Sequence, residues 1–513
     1  MTNRFTACAA ALAAAGFIAC AAPASAAELT VALSSAFSTM DPWDSTDNVS
    51  LTAAKSFYEG LYGFDRNMKV RPVLAESAEP SADGLVYTVK LRRGVMFHDG
   101  TEFKADAVKA NFDRVLNPEN HLKRFGLYSN VAKVDVVDDY TVKFTLKKPF
   151  SAFINQLAHP SGAMICPSAL KTLSNKELAF KACGTGPFTM DKYSPVDGLR
   201  VVKNPNYWQK GLPKVDAIMW KPVVENSTRV AMLKTGEAQF AFPLPPEQAA
   251  QLKSEGDLVV VDSPSIILRY VSINQSKKPF DNLKVREALN YAVNKNAFIK
   301  VAFNGFGDPA DGVAPKDVAY SVQTGPWPYD PKKACELLKE AGYPNGFETT
   351  LLSGYNDSTS IKAIQFLQQQ LAQVGIKAKV QALEVGQRTA MIDNAKGPAG
   401  SKHQLYYIGW SSSTGEIDWA IRPLLATESF TPNNSNDAYY SNKNVDQWLQ
   451  DALGTTDDAK KAEIYARIQK QIWADAPWIF LGTQRNISGS AKNLSGLYVM
   501  PDSNLDFYGA ELK

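Results

Sequence analysis

The sequence predicts an α/β protein of two lobes that are joined by two extended segments. Strand patterns and helix patterns alternate along the whole chain of 513 residues. One segment in the second half has the order strand, helix, strand, which implies parallel strands. A chain of this length is not expected to form one compact core, because larger chains divide into separate units.

Half-buried strands and amphipathic helices make up the first half of the chain. Residues 85–91 and the segment from Thr141 alternate apolar and polar side chains, and helical spacing lies between them at 104–117. Further strands are predicted at 200–208, 216–223 and 257–263, around a helix at 227–237 in which Gly236 is the expected stop. These elements predict an α/β first lobe.

The second half begins with an extended apolar segment. We expect residues 264–275 to cross between the lobes and the chain to return near 481–485. The strand-helix-strand unit occupies 347–355, 358–375 and 376–384, with Gly375 at the end of the helix. The predicted organisation is 27–270 for the first lobe, with an extra subdomain at about 75–185, then 271–482 for the second lobe and 483–513 for the return to the first.

The amino terminus has the pattern of a signal peptide. Arg4 precedes an Ala-rich apolar stretch at 7–22, and Ala24, Ser25 and Ala26 follow it, so cleavage after Ala26 is predicted. The stretch is too short to cross a bilayer comfortably. Acylation of Cys20 is the alternative, although Phe17 is a poor residue three positions upstream of a lipidated cysteine.

Composition argues against several classes of function. The formal net charge is +3 with scattered basic residues, so the basic stripe of a nucleic-acid-binding protein is missing. Four histidines and no CxxC pair give no zinc, haem or thiol-redox signature, and no metal or other cofactor is predicted. No GxSxG elbow, HExxH helix or phosphate loop is present, so we expect a protein that is not an enzyme.

Three cysteines lie beyond the predicted cleavage site. An exported protein meets oxidising conditions, which permit one disulfide, and we predict that it joins Cys166 to Cys183. Cys335 lies in a helical pattern at 330–343 that is expected to bury it.

Several segments together resemble cluster 5 of the ABC-transporter solute-binding proteins, which bind dipeptides, oligopeptides and nickel. They are YEGLYGFD at 58–65, the stretch from 73 to 114, GTGPF at 184–188, PFDNLKVREALNYAVNK at 279–295, the stretch 326–346 and QQQLAQVGIKAKV at 368–380. The resemblance implies a two-lobed class II periplasmic-binding-protein fold, with an extra subdomain on the first lobe and two hinge crossings. It also implies a monomer in the periplasm that delivers its ligand to an ABC permease.

Four longer segments are similar to the glutathione-binding members of that family. They are HLKRFGLYSNVAK at 121–133, PFSAFINQLAHP at 149–160, AMLKTGEAQFAFPLP at 231–245 and GWSSSTGEIDWAIRPL at 409–424. This likeness implies glutathione or a related short peptide as the ligand. Ordinary dipeptides or oligopeptides, haem and nickel chelates remain the alternatives.

The resemblance also directs attention to the ligand's ammonium group. Most peptide binders of the family place an aspartate three residues after a Gly-Trp pair, and in this chain that position is Ser413. An ordinary α-amino terminus would therefore lose its ionic partner. Glu416 and Asp418 are candidates to receive the ammonium of a longer γ-glutamyl arm; the alternative is that both are solvated turn residues.

Glutathione also carries two carboxylates, which require cationic or amide donors. Arg388 follows the second parallel strand and is the leading candidate, because a guanidinium can bind a carboxylate through two hydrogen bonds. Ser358, Thr359 and Ser360 begin a helix whose free amides favour anions. The alternatives are a surface arginine and a plain helix cap.

The remaining predicted contacts come from both lobes. Aromatic residues with such spacing are often core, the GTGP segment is first a turn, and Arg124 is otherwise a surface residue. These further candidates are Ser38, Thr39, Arg124, Gly184, Thr185, Gly186, Tyr270, Asn274, Tyr355, Trp410 and Ser412.

Overall fold

The structure, a computed structural model, describes residues 27–256 and 258–513. The predicted signal peptide and Cys20 lie outside these residues. The strands are β1 (Glu28–Leu33), β2 (Tyr62–Phe64), β3 (Val70–Pro72), β4 (Ala75–Pro80), β5 (Val86–Leu91), β6 (Val131–Asp138), β7 (Thr141–Leu146), β8 (Phe188–Ser194), β9 (Gly198–Lys203), β10 (Ala217–Pro222), β11 (Phe240–Phe242), β12 (Val259–Ser263), β13 (Ile267–Ile273), β14 (Gly307–Pro309), β15 (Glu348–Ser353), β16 (Lys377–Ala382), β17 (Leu405–Ser411), β18 (Trp478–Gln484), β19 (Asn486–Ser490), β20 (Leu494–Ser495), β21 (Tyr498–Val499), β22 (Leu505–Asp506) and β23 (Glu511–Leu512).

The helices lie between these strands along the whole described chain. They are α1 (Asn48–Ala54), α2 (Ala105–Leu116), α3 (Phe125–Tyr128), α4 (Phe153–Ala158), α5 (Pro167–Thr172), α6 (Asn175–Leu178), α7 (Asn226–Thr235), α8 (Pro246–Glu255), α9 (Leu283–Ala292), α10 (Lys295–Ala302), α11 (Pro331–Glu340), α12 (Ser358–Ala372), α13 (Val385–Arg388), α14 (Gly397–Gly400), α15 (Ile417–Leu425), α16 (Lys443–Leu453) and α17 (Asp458–Asp475). The mixed α/β fold class that the sequence predicts is confirmed.

The first lobe is built on a seven-stranded sheet in the order β12-β19-β11-β1-β10-β9-β8. Its central strand β1 pairs in parallel with β10 and β11. Val31 and Ala32 of β1 are both fully buried, but in different cores on opposite faces of the sheet. Covering on both faces explains why this strand is an apolar run rather than an alternating one.

An antiparallel sheet in the order β4-β5-β7-β6 forms the extra part of the first lobe. Helix α2 packs on it, and the rings of Phe112 and Phe144 meet edge to face at 4.9 Å. The predicted strand at 85–91 and the predicted helix at 104–117 are confirmed by β5 and α2. Their buried side chains belong to the same core as one face of the seven-stranded sheet, so the extra part packs directly on it.

The second lobe is built on a six-stranded sheet in the order β14-β18-β13-β17-β15-β16. The predicted strand-helix-strand unit is β15, α12 and β16, and its two strands are parallel, with Leu351 opposite Val380. Gly375 follows the end of the helix with φ +84°, a conformation that favours glycine.

Two short crossings connect the lobes. Strand β12 ends in the first sheet at Ser263, and β13 begins in the second sheet at Ile267. Only Arg485 separates β18 of the second sheet from β19 of the first. Sheet membership therefore changes at 264–266 and at 485, whereas the predicted first crossing extended to 275.

The cysteines divide into a bonded pair and an exposed thiol. Cys166 and Cys183 form the predicted disulfide, with their α-carbons 5.4 Å apart. The prediction that Cys335 is buried is wrong, because α11 turns Ala334, Leu337 and Leu338 toward the core and leaves Cys335 on its exposed face.

Candidate functional site

Both large sheets direct the carboxyl ends of their parallel strands toward the crossings. In the first lobe these are the ends of β1, β10 and β11, and in the second lobe the ends of β15, β16 and β17. The antiparallel β13 begins, and β18 ends, at the same edge of the second sheet. Open α/β sheets hold ligands outside the carboxyl ends of their strands, so the space at the crossings is the candidate site.

A cavity occupies this space between the lobes. Its volume, including the space at its opening to solvent, is about 780 Å³. Among the described residues, two arginines and no carboxylate line it. The lining residues are Leu33, Ser34, Asn48, Val49, Thr52, Phe242, Pro243, Leu244, Ile267, Arg269, Gln484, Arg485, Asn486, Ile487, Ser503 and Leu505.

The two arginines of the cavity differ in their partners. Arg485 forms ion pairs with Asp262 at 3.7 Å and with Asp308 at 3.3 Å, one residue from each lobe. Arg269 donates from Nη2 to Oε1 of Gln484 at 3.1 Å. Its Nε and Nη1 atoms are shielded from solvent and have no acceptor among the described residues. A guanidinium with unused donors at this position is suited to hold an anionic group.

Two residues of the second lobe fix the position of Arg269. Its guanidinium carbon lies 4.7 Å from the centre of the Tyr355 ring. On the other side it packs against the backbone of Gly409, where an added Cβ would lie 2.6 Å from Nη1. Only glycine leaves room for the guanidinium there. Together with the hydrogen bond to Gln484 of β18, the Tyr355 loop and β17 hold the cation in one place.

The predicted contacts Tyr355, Trp410, Ser412 and Ser413 lie at the same edge of the second sheet as Arg269, with Trp410 near the end of β17 and the other three in loops. Nε1 of Trp410 donates to the carbonyl of Trp419 at 2.7 Å. Ser412 is buried, and its carbonyl accepts from the Gly415 amide at 2.7 Å. Ser413 is half-buried. The fold therefore brings these residues together, but none of them lines the cavity itself.

Glu416 and Asp418 are both buried in ion pairs of the second lobe. The Glu416 carboxylate meets the ammonium of Lys461, and burial raises the pKa of Glu416 to about 7. Asp418 accepts from Nε and Nη2 of Arg422, and also from the Tyr465 hydroxyl at 3.1 Å. Because both carboxylates are buried, neither is a solvated turn residue. A ligand ammonium would have to displace their present partners.

Arg388 and the start of α12 also have partners within the lobe. Nε of Arg388 lies 3.5 Å from Oδ2 of Asp393. Asp357 caps α12 by accepting from the Ser360 amide at 3.0 Å, which places a negative charge where an anion was predicted. Ser358 and Thr359 are the first residues of the helix. Their roles in binding stay predictions.

The first-lobe candidates contact their own lobe. Ser38 donates to Asp47 at 2.6 Å, and Nε of Arg124 donates to the carbonyl of Ser45 at 2.6 Å. The hydroxyl of the buried Thr39 accepts from the Asp41 amide.

The GTGP turn also packs inside the first lobe. Thr185 donates to the buried Glu59 at 2.9 Å. A Cβ at Gly186 would lie 2.5 Å from the carbonyl carbon of Phe57, and Gly184 packs against the same residue. These contacts show a structural role, and a role in binding stays a prediction for all of the first-lobe candidates.

Tyr270 on β13 and Asn274 directly after it face the interior of the second lobe. The Tyr270 ring stacks on Trp478 at 4.1 Å, and Asn274 donates to the carbonyl of His403 at 2.8 Å. Sequence reasoning selected these two residues and missed Arg269, which directly precedes Tyr270. The available signal was a single charged side chain within the otherwise uncharged segment 264–274. No helix in the described ranges is both long and apolar enough to cross a membrane.

Comparisons with known proteins agree with this architecture. The chain is 54% identical over 486 residues to the glutathione-binding protein GsiB of Escherichia coli O1:K1 / APEC, covering 95% of this chain and 94% of that protein. It is 55% identical over 485 residues to the protein of that name from Pectobacterium atrosepticum, covering 94% of each. The Helicobacter pylori periplasmic binding protein DppA in complex with the peptide STSA superposes with a TM-score of 0.81 at 28% identity, covering 94% of this chain and 98% of that one.

The fold class that the family resemblance implied is therefore confirmed as a two-lobed binding-protein fold. Residues 69–432, more than half of the chain, match the family described as bacterial extracellular solute-binding proteins, family 5 middle. The chain belongs to family 5 of the bacterial extracellular solute-binding proteins.

Proposed function

We propose that this protein is the periplasmic substrate-binding component of an ABC importer, and that it binds glutathione or a related short peptide between its lobes. The relatives that are 54 and 55% identical over nearly the whole chain carry the name glutathione-binding protein. The ligand is then delivered to a permease in the inner membrane. The predicted signal peptide supports export of the chain.

The observation that carries this proposal is the cavity at the crossings. Walls from both lobes surround it, so a bound molecule contacts both lobes and favours their closure. The part of the chain that the structure describes lines the cavity with arginine side chains and no carboxylate, which suits a ligand with more carboxylates than ammonium groups. Glutathione has two carboxylates and one ammonium.

Ordinary peptides are the second candidate class, because a structural relative was solved with the peptide STSA. Ser413 argues against this class, since the family resemblance places the ammonium-binding aspartate at that position. Peptide hydrolysis is a weaker alternative, because the family comprises solute-binding proteins. Turnover of glutathione on prolonged incubation would support an enzyme.

Calorimetric titration distinguishes the ligand classes. We expect the purified mature protein to bind glutathione more tightly than alanyl-alanine. Glutathione disulfide is titrated in parallel as a third ligand. Binding of the dipeptide without detectable binding of glutathione would contradict the ligand assignment and leave the transport role in place.

Two variants extend this titration. Ser413→Asp is expected to shift the preference toward the dipeptide, because it restores an anionic partner for an α-ammonium group. Arg388→Ala is expected to weaken glutathione binding by about 1.5 to 3 kcal/mol if this arginine holds a carboxylate. Unchanged affinity of Arg388→Ala would remove that residue from the site.

A further inference from the structure

Arg269 is held in a state that lacks an anionic partner. Among the other buried arginines of the described chain, Arg422 pairs with Asp418. Arg229 and Arg286 instead donate to several backbone carbonyls, so their guanidinium groups also have acceptors. Within residues 27–256 and 258–513, Arg269 has no carboxylate at ion-pair distance, and its one hydrogen-bond acceptor is the neutral amide of Gln484. Arginine stays protonated at all physiological pH values, so the positive charge is permanent.

Leaving such a charge without a partner is unfavourable. Two of its nitrogens, Nε and Nη1, are removed from water without gaining an acceptor. Burial of an unpaired charge costs free energy that a carboxylate on the same site would offset. A ligand carboxylate can approach from the cavity, because alternation along β13 turns Ile267 and Arg269 to the cavity side while Tyr270 faces the core.

We propose that Arg269, positioned by Gly409 and Tyr355, is the residue that binds a ligand carboxylate and selects for ligands of net negative charge. The inference rests on the proposed function, because it assumes that the ligand lies in the interlobe cavity. Selection follows from the lining. Its described residues offer a bound ligand the guanidinium of Arg269, which has no ion-pair partner among them, and they offer no acidic side chain to a bound ammonium. A tripeptide with two carboxylates then gains more than a dipeptide with one.

A cycle of protein and ligand changes tests the carboxylate contact. Titrate the parent and Arg269→Met with glutathione and with its two mono-amides, each of which lacks one carboxylate. We expect Arg269→Met to weaken glutathione binding by about 10- to 100-fold, the effect of removing hydrogen bonds to a charged group. One of the two mono-amides should bind the parent more weakly than glutathione does, by a similar factor. Arg269→Met should weaken the binding of that mono-amide little further, because the carboxylate that Arg269 contacts is already missing.

Arg200→Met is the matched control. It removes the same charge from the surface of β9, where Arg200 pairs with Glu28 and Asp191, and it should not change the affinity. Arg269→Lys keeps the charge without the two-pronged geometry and is expected to bind with intermediate affinity. The thermal unfolding midpoint of each variant is compared with that of the parent, so that a loss of binding can be distinguished from a loss of folding.

The two proposals fail in different ways. The role of Arg269 is overturned if Arg269→Met weakens the binding of glutathione and of both mono-amides by the same factor, or if it weakens none of them. Glutathione binding by the parent is unaffected by either outcome. If the parent shows no binding of glutathione and binds alanyl-alanine, the ligand assignment fails. The same cycle with alanyl-alanine and its amide then decides whether Arg269 holds a carboxylate.

Discussion

At the scale of single residues, burial decides which ionisable groups carry a charge. Asp437 is buried beside Ser272, whose hydroxyl donates to it, and its backbone carbonyl lies 2.9 Å from Nε2 of His403. Burial raises the pKa of Asp437 to about 7 and lowers the pKa of His403 to about 4. Both groups are therefore neutral over much of the acidic range, which is the state that a buried site favours.

The raised pKa of Asp437 predicts a pH dependence of stability. The unfolded carboxyl releases its proton near pH 4, whereas the folded one keeps it to about pH 7. Between these values the folded state binds more protons, so this group makes the protein less stable as pH rises. Asp437→Asn should remove that loss, and its advantage over the parent should grow from pH 4 to pH 7.

Urea unfolding at a series of pH values measures this effect. The difference between variant and parent isolates Asp437 from the opposite contribution of His403. Asp113→Asn, an exposed carboxylate paired with Lys109, is the control and should give a difference that stays small. A constant difference for Asp437→Asn at all pH values would contradict the prediction.

At the scale of elements, the disulfide closes the segment that leads to the GTGP turn. Cys166 precedes α5, and Cys183 precedes Gly184, so the bridge fixes both ends of a pair of short helices. The turn beyond it packs against Phe57 with no space for a side chain at Gly186. Short helices of this kind depend on tertiary contacts, because isolated helices of such length are not stable.

Removal of the disulfide should therefore destabilise the first lobe. We expect Cys166→Ala with Cys183→Ala to lower the free energy of unfolding by about 2 to 4 kcal/mol. Denaturant unfolding under non-oxidising and oxidising conditions measures this, and Cys335→Ala is the control because that thiol is exposed and unbonded. Equal stability of the parent with and without reductant would refute the expectation.

At the scale of the whole molecule, the two lobes already touch. Nδ2 of Asn155 donates to the carbonyl of Thr414 at 2.9 Å, and the Ser151 amide donates to the carbonyl of Leu453 at 3.1 Å. An ion pair joins Lys362 of the second lobe to Glu247 of the first. Buried apolar contacts join the lobes as well, because Met68 and Met500 pack in a core of the second lobe. A ligand that bridges the lobes adds to these contacts and favours the closed arrangement.

Small-angle scattering tests this closure. Saturating glutathione should lower the radius of gyration of the parent, because ligand bound to both lobes selects the closed form. Arg269→Met at the same ligand concentration should show a smaller change. Identical scattering of the parent with and without glutathione would argue against ligand-driven closure.

The sequence by itself determined much of this protein. Side-chain periodicity predicted β5, α2 and the parallel unit of β15, α12 and β16, because these patterns are local and repeat within one element. Extended motifs along nearly the whole chain placed it in its family. The pairing of Cys166 with Cys183 followed from export and from the small number of cysteines.

Only the tertiary structure decided which side chains face the cavity. Glu416 has its partner on another helix, at Lys461, and no local pattern reveals that pairing. Asp418 instead pairs with Arg422 one turn along the same helix, a spacing that the sequence itself shows. Arg269 became a candidate because Gly409, Tyr355 and Gln484, distant in sequence, surround it without supplying a carboxylate. Partners of a charge come from the packing of separate elements, whereas sequence periodicity reports only the face on which a residue lies.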